Sequence, residues 1–333
     1  MRAVIQHEYG THEVLSVDEV DIPEPKKDEV RIRVHAAAVH AGDTLVMRGH
    51  PKALRLMFGI GGPRQATPGL EVAGVVDAIG AQVTEVRVGD RVFGEGSGAL
   101  AEYAIAKAGR LAVIPSEMSF AEAAALPVSA VTGLMAMRDV AKVQPGEKVL
   151  VIGASGGVGS FAVQVAKHLG AEVTAVCSAR NIELVSSLGA DHVVDYTKGS
   201  VLDTDVRFDV ILDNVASHSL EELEGILVPG GRILSNNGTS GGVWFGPLGR
   251  MARAAWRNLT TKTSYPQFVA MATRERLEDL VELIDAGALR PVIGSTRGFD
   301  QAIEAVAEVE SGHAVGKVVV ELVPSRDIEG VAK

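Results

Sequence analysis

Seven residues, Gly153-Ala154-Ser155-Gly156-Gly157-Val158-Gly159, constrain this chain more than any others. They follow the apolar run Val149 to Ile152 and precede Ala162, Val165, Ala166 and Leu169, which recur at helical spacing until Gly170 stops them. A strand that enters such a turn and a helix that leaves it aim backbone N–H groups and the positive end of the helix dipole at one point. An anion such as a pyrophosphate is favoured there. Glycine lets the backbone approach the phosphate and lets the helix pack on the strand. The spacing departs from G-x-G-x-x-G, because Ser155 stands where the second glycine would be. A plain strand-to-helix connection has the same appearance, so the surroundings must separate the two readings.

Those surroundings are repeated βαβ units. Val173 to Cys177 reads as a strand, Ile182 to Leu188 as a helix ended by Gly189, and His192 to Val194 and Val210 to Leu212 as strands. A helix near Leu220 to Leu227, a turn at Gly230 and Gly231, and a strand starting at Ile233 and Leu234 complete the pattern. Alternation of this kind implies a doubly wound parallel sheet with right-handed crossovers. The first 115 or so residues differ. Ala3 to Gln6, Val30 to Val34, Val72 to Ala78, Arg91 to Phe93 and Tyr103 to Ala106 are β-rich runs between turn residues, with little helical periodicity. Beyond Gly238 a loop leads to a short helix candidate, and a helix carrying Leu277, Leu280, Val281 and Ile284 ends at Gly287. Strands at Pro291 to Ile293 and Lys317 to Leu322 then flank a helix from Asp300 to Glu310. Two strands cannot stand alone, so this last part is expected to rejoin the first.

The second cofactor clue lies where the next strand ends, Cys177-Ser178-Ala179-Arg180. An NAD site usually carries Asp or Glu about 20 residues past the turn, on the ribose 2′-hydroxyl. None is present here, while a hydroxyl and a guanidinium suit a 2′-phosphate, so NADPH is the expected cofactor. A solvated Arg180 is the bland alternative. Composition mainly excludes. At roughly 150 residues per domain, 333 residues imply about two domains. A net charge of −10 opposes a nucleic-acid partner. The lone Cys177 excludes an intramolecular disulfide and a four-cysteine zinc site and fits a reducing compartment. The N-terminus has no apolar signal core, and glycines interrupt the uncharged stretch from Val149 to Ala166. A cytoplasmic protein without a membrane span is therefore expected.

Gly146-Glu147, Leu150, the run Ala154 to Gly159, Gln164 and Lys167 resemble the signature of the zinc-independent quinone oxidoreductase (zeta-crystallin-like) branch of the medium-chain dehydrogenase/reductase superfamily. AAAVHAGDTLVMRG, PGLEVAGVV, VGDRVFG, AAALPVSAVTGL, LGADHVVDY and SGHAVGKVVVEL extend the similarity over most of the chain. The resemblance implies a Rossmann domain at 123–287, inserted into a GroES-like (chaperonin-10-like), mostly β catalytic domain formed by 1–122 and 288–333, with the nicotinamide in the cleft between them. It implies Val128 and Thr132 near the nicotinamide and Gly153, Ala154, Ser155, Gly156, Gly157 and Val158 at the phosphates. Cys177, Ser178, Arg180 and Tyr196 would lie by the adenosine 2′-phosphate. Asp213, Asn214, Val215, Asn237, Gly238 and Thr239 would line the path of the cofactor, and Lys317 would reach it from the closing strand.

The same resemblance implies hydride transfer from NADPH to a quinone or an α,β-unsaturated carbonyl by a homodimer. Zinc-dependent members carry Cys and a Gly-His-Glu triplet where this chain has His40 and Gly69-Leu70-Glu71, and Leu70 cannot bind a metal. A His35, His40 and His50 site is the remaining zinc alternative, and no metal is the expectation. His40 and Thr132 are the catalytic candidates; His40 is either a proton donor or a satisfied loop histidine, and Asp43 is expected to cap the turn that follows. Trp244, Phe245 and Leu248 mark the expected substrate loop. Two other enzymes stay open: an NAD(P)-dependent alcohol dehydrogenase-like protein and an enoyl-thioester reductase, for which Arg250, Arg253, Arg257 and Lys262 would offer a basic entrance. A nucleic-acid-binding role rests on the same basic run, which is more often a solvated helix face.

Overall fold

The structure, a computed structural model, describes residues 1–236, 244, 246 and 248–322. The chain divides into two compact units. One holds residues 1–131, 271–282 and 291–322, and the other holds the described residues of 132–270 together with 283–290.

In the first unit β1 (Arg2–Gln6) pairs with β2 (Leu15–Glu19) as an antiparallel ribbon. β3 (Glu29–Val39), β4 (Glu71–Ile79), β5 (Arg91–Ser97) and β6 (Tyr103–Val113) form consecutive antiparallel pairs, and β3 also pairs with β6, which closes a barrel. Its interior is filled by Val30, Ile32, Val34, Val72, Val92 and Leu111. The Glu29 to Val34 half of β3 alternates buried apolar with more exposed charged residues, as a half-solvated strand should. From Val34 to Val39 every residue is buried, so alternation disappears and the strand runs on past the end that periodicity predicts.

Helices α1 (Ala41–Arg48) and α2 (Arg55–Phe58) lie between β3 and β4, and α3 (Phe120–Ala124) and α4 (Ser129–Leu134) follow β6. α1 is a helix that the β-rich reading of this region did not include. The division between the units falls within α4.

The second unit is a five-stranded, wholly parallel sheet. β7 (Lys148–Ile152), β8 (Glu172–Cys177), β9 (His192–Asp195), β10 (Phe208–Asp213) and β11 (Leu227–Ser235) lie in the order β11-β10-β7-β8-β9. α5 (Gly157–His168), α6 (Ile182–Ser187), α7 (Leu220–Glu224) and α8 (Leu248–Thr260) belong to this unit. The strand order reverses beside β7, which puts a ligand crevice at the carboxyl ends of β7 and its neighbours. Gly230 and Gly231 lie inside β11 and do not turn the chain. Leu227 pairs with Phe208 and Arg232 with Val210, so four residues bulge opposite one, with Gly230 at φ +86°.

The chain then returns to the first unit. α9 (Arg274–Asp285) precedes β12 (Ile293–Gly298), α10 (Ala302–Glu310) and β13 (Lys317–Glu321). β13 pairs antiparallel with β3, Val318 opposite Val39, and parallel with β12. The Rossmann sheet is thus an insertion in a mostly β domain built from both ends of the chain. Among the described residues no helix is long and apolar enough to cross a membrane.

Candidate active site

The glycine turn leaves β7 and opens α5. Gly156 is the N-cap residue and no side chain caps the helix, so its first N–H groups have no intrahelical partner. Two earlier N–H groups are already engaged: Ala154 N–H donates to Val176 O at 3.0 Å and Gly156 N–H to Gly153 O at 3.2 Å. The Ala154 side chain is wholly buried, so only its backbone belongs to the turn surface. Gly159 packs on the strand end, where a Cβ would lie 2.2 Å from Gly153 O. The cradle, with its uncapped helix start, fits a pyrophosphate.

The neighbouring strand ends complete it. Ser178 and Arg180 follow β8, and Tyr196 follows β9; Tyr196 N–H donates to Cys177 O at 3.2 Å, which holds the two strand ends together. Cys177 is buried and its thiol is pushed up, by burial and then by Asp195, so it offers backbone alone at this edge. Asn181, which the sequence reading passed over, donates from Nδ2 to Ser155 Oγ at 2.9 Å.

On the other side of β7, Asn214 Nδ2 donates to Ile152 O at 3.0 Å and Asn236 Nδ2 donates to Asn214 Oδ1 at 2.9 Å, linking the ends of β11, β10 and β7. Val215 is half exposed beside Gly153, where a glycine Cβ would lie 2.8 Å from Val215 Cγ2. Asp213 is fully buried and faces inward. Its Oδ1 accepts from Val215 N–H at 3.1 Å and Ala216 N–H at 2.8 Å, and its Oδ2 pairs with Arg250 Nη2 at 2.7 Å. It holds the loop in shape and leaves contact with a ligand to the loop. Asn237, Gly238, Thr239 and Phe245 lie outside the described residues. Trp244 and Leu248 are exposed, at 63% and 47%.

In the mostly β unit the polar residues form two neighbouring groups. His40 is the N-cap of α1. Its Nδ1 accepts from Asp43 N–H at 2.9 Å while Asp43 Oδ2 accepts from His40 N–H at 3.0 Å, a reciprocal capping box. With Nδ1 accepting, the neutral ring carries its proton on Nε2. Burial pushes the Asp43 carboxyl up. In the second group Glu71 and Lys317 form a buried ion pair. Glu71 Oε1 accepts from Val128 N–H at 2.9 Å, and Lys317 Nζ donates to Ser129 Oγ at 3.0 Å and to Val39 O at 3.4 Å. All three ammonium donors therefore have protein partners, and Lys317 acts on the Val128–Ser129 segment. Thr132 is buried one turn further along α4.

Two family models match this chain, one described as an alcohol dehydrogenase GroES-like domain over residues 26–116 and one as a zinc-binding dehydrogenase over residues 188–320. The chloroplastic quinone-oxidoreductase homolog of Spinacia oleracea is 33% identical over 94% of this chain and 95% of its own length. The chloroplastic NADPH-dependent alkenal/one oxidoreductase of Arabidopsis thaliana is 31% identical over 97% of this chain and 80% of its own. The chain belongs to the quinone oxidoreductase branch of the medium-chain dehydrogenase/reductase superfamily. Among solved structures, the quinone oxidoreductase of Coxiella burnetii superposes with a TM-score of 0.84 at 26% identity, covering 97% of this chain and 99% of that one.

The second family description names zinc, and the donors of this chain do not fit it. Among the described residues no three His, Cys, Asp or Glu side chains converge on a metal position. His35 stacks on Phe120 with ring centroids 4.3 Å apart, His40 caps a helix, and Leu70 occupies the second ligand position. The basic run that would offer an entrance to an enoyl-thioester reductase is largely paired within the chain. Arg250 pairs with Asp213, Arg253 with Glu221, and Arg257 with Glu221 and Glu224, so three of its four cations bind this chain's own carboxylates.

Proposed function

We propose that this protein is an NADPH-dependent oxidoreductase that reduces quinones or α,β-unsaturated ketones and aldehydes without a bound metal, as a cytoplasmic homodimer. The observation that carries this reading is the uncapped glycine cradle beside a β8 end that offers Ser178 and Arg180 and no carboxylate. NADPH, when bound, supplies the hydride. The chain binds and orients it. The first N–H groups of α5 take the pyrophosphate, Ser178, Arg180 and Tyr196 take the 2′-phosphate, Asn214 and Val215 border the path between, and Val128 and Thr132 receive the nicotinamide end. The names of the spinach and Arabidopsis relatives support the acceptor class.

Reduction of such an acceptor places negative charge on its oxygen, and a hydrogen-bond donor that is already oriented lowers that cost. The Nε2–H of His40 is such a donor, because the capping box fixes the tautomer and the ring. Thr132 supplies a hydroxyl as the second candidate, and Trp244 and Leu248 an apolar wall. The outer side of the segment at Ser264, which bridges Arg232 on the sheet edge, is the face assigned to the partner copy.

Oxidation of NADPH and of NADH is followed with a quinone, an enone and an enoyl-CoA, alongside metal analysis. The expected result is turnover of the first two acceptors with NADPH preferred and zinc well below stoichiometric. Preference for NADH, turnover of the enoyl-CoA alone, or stoichiometric zinc whose removal abolishes activity would overturn it.

A further inference from the structure

Asn181 is buried at the end of the short turn that follows β8. Its Nδ2 donates to two hydroxyl oxygens, Ser155 Oγ in the glycine turn at 2.9 Å and Ser178 Oγ at 3.4 Å, and its own N–H donates to Ser178 O at 2.9 Å. An amide NH2 only donates, whereas a hydroxyl both donates and accepts. Each serine oxygen therefore accepts from Asn181 and keeps its own hydrogen for another acceptor. Ser155 lies beside the uncapped start of α5, in the place of the second glycine of G-x-G-x-x-G, and Ser178 lies at the β8 end.

We propose that Asn181 is a positioning residue that turns both hydroxyls into donors toward the phosphates of the dinucleotide, and through Ser178 raises the preference for NADPH over NADH. The inference rests on the NADPH reading given above. Where the second glycine would admit the pyrophosphate to bare backbone, this chain offers an oriented O–H. A carboxylate at position 181 would have the opposite effect, because it only accepts. Both serine hydrogens would turn toward it, and its charge would oppose the anion.

The test is binding, without any acceptor. Dissociation constants of NADPH and NADH are measured by calorimetry on the full chain and on Asn181→Asp, which keeps the side-chain shape. A lost hydrogen bond to a charged group corresponds to about tenfold or more in affinity, so Asn181→Asp, which turns both hydroxyls away, should weaken NADH about tenfold and NADPH about a hundredfold. Ser178→Ala should weaken NADPH selectively, and Ser155→Ala should weaken both dinucleotides. These two variants keep the proposal testable if Asn181→Asp folds poorly. An NADPH-to-NADH affinity ratio equal to that of the wild type in both Asn181→Asp and Ser178→Ala overturns the assignment. Binding of neither dinucleotide by the wild type overturns the cofactor reading, and this inference with it.

Discussion

His35 shows what one buried side chain does to the stability of the whole. It lies in β3 against Phe120, and among the described residues neither ring nitrogen has a hydrogen-bond partner. Burial, reinforced by the Arg33 and Arg91 charges, lowers its pKa to about 4 from an ordinary 6.5. The unfolded chain therefore takes up the proton first as pH falls. The stability contributed by the neutral ring is complete above about pH 6.5 and is lost progressively between there and about pH 4, by up to about 3 kcal/mol. Urea melts of the wild type at pH 7.5 and 4.5 should show this loss, and His35→Phe should remove most of it. Equal pH dependence in the two proteins would refute the account. Nothing in the sequence signalled this, because a histidine in an alanine-rich strand reads the same whether its ring is solvated or stacked.

At the scale of elements, the α5–β7 junction depends on one missing methyl group. Since a Cβ at Gly159 would meet Gly153 O at 2.2 Å, Gly159→Ala must move the helix away from the strand. A destabilisation of about 1–3 kcal/mol is expected, with NADPH affinity falling at least tenfold, from thermal melts and calorimetry. Wild-type binding in this variant would show that the close approach is not what forms the cradle. This junction was legible because glycine spacing and helical periodicity are both local signals. So were β7, β8 and β10, whose apolar runs end at turn residues.

Other elements were hidden for physical reasons. α1 is short, and the capping box that starts it uses His40, a residue type absent from the usual Ser, Thr, Asp and Asn N-cap preference. The bulge at Gly230 and Gly231 carries the glycine pair of an ordinary turn, and only the register with β10 identifies it as strand. The ion pairs that engage Arg250, Arg253 and Arg257 join α8 to the end of β10 and to α7, elements separated along the chain, which no local pattern reports. Asn181 was passed over because its importance comes from the two serines that it touches.

Across the whole molecule, the buried pair of Glu71 and Lys317 joins residues 246 positions apart. Removing one partner leaves the other charge stranded, which typically costs about 3–5 kcal/mol. Lys317→Met should therefore be strongly destabilising, and the double replacement Glu71→Gln with Lys317→Met should recover most of the loss. Chemical denaturation of Lys317→Met, Glu71→Gln and the double variant measures this, and additive losses in the double variant would show that the pair is not coupled.

The same pair also sets an order of events during synthesis. At about 5–20 residues per second, the ribosome makes Lys317 roughly 12 to 50 s after Glu71. Through that interval β3 lacks β13 along Ala36 to Val39, and the Glu71 carboxylate has no ammonium to meet. The nascent first unit must wait, with an open strand edge and a bare charge, while the inserted Rossmann unit emerges and can fold in full. A cell that makes this protein thus holds the first unit with one stretch of β3 edge unpaired until β13 emerges, an edge of the kind that holdase chaperones protect.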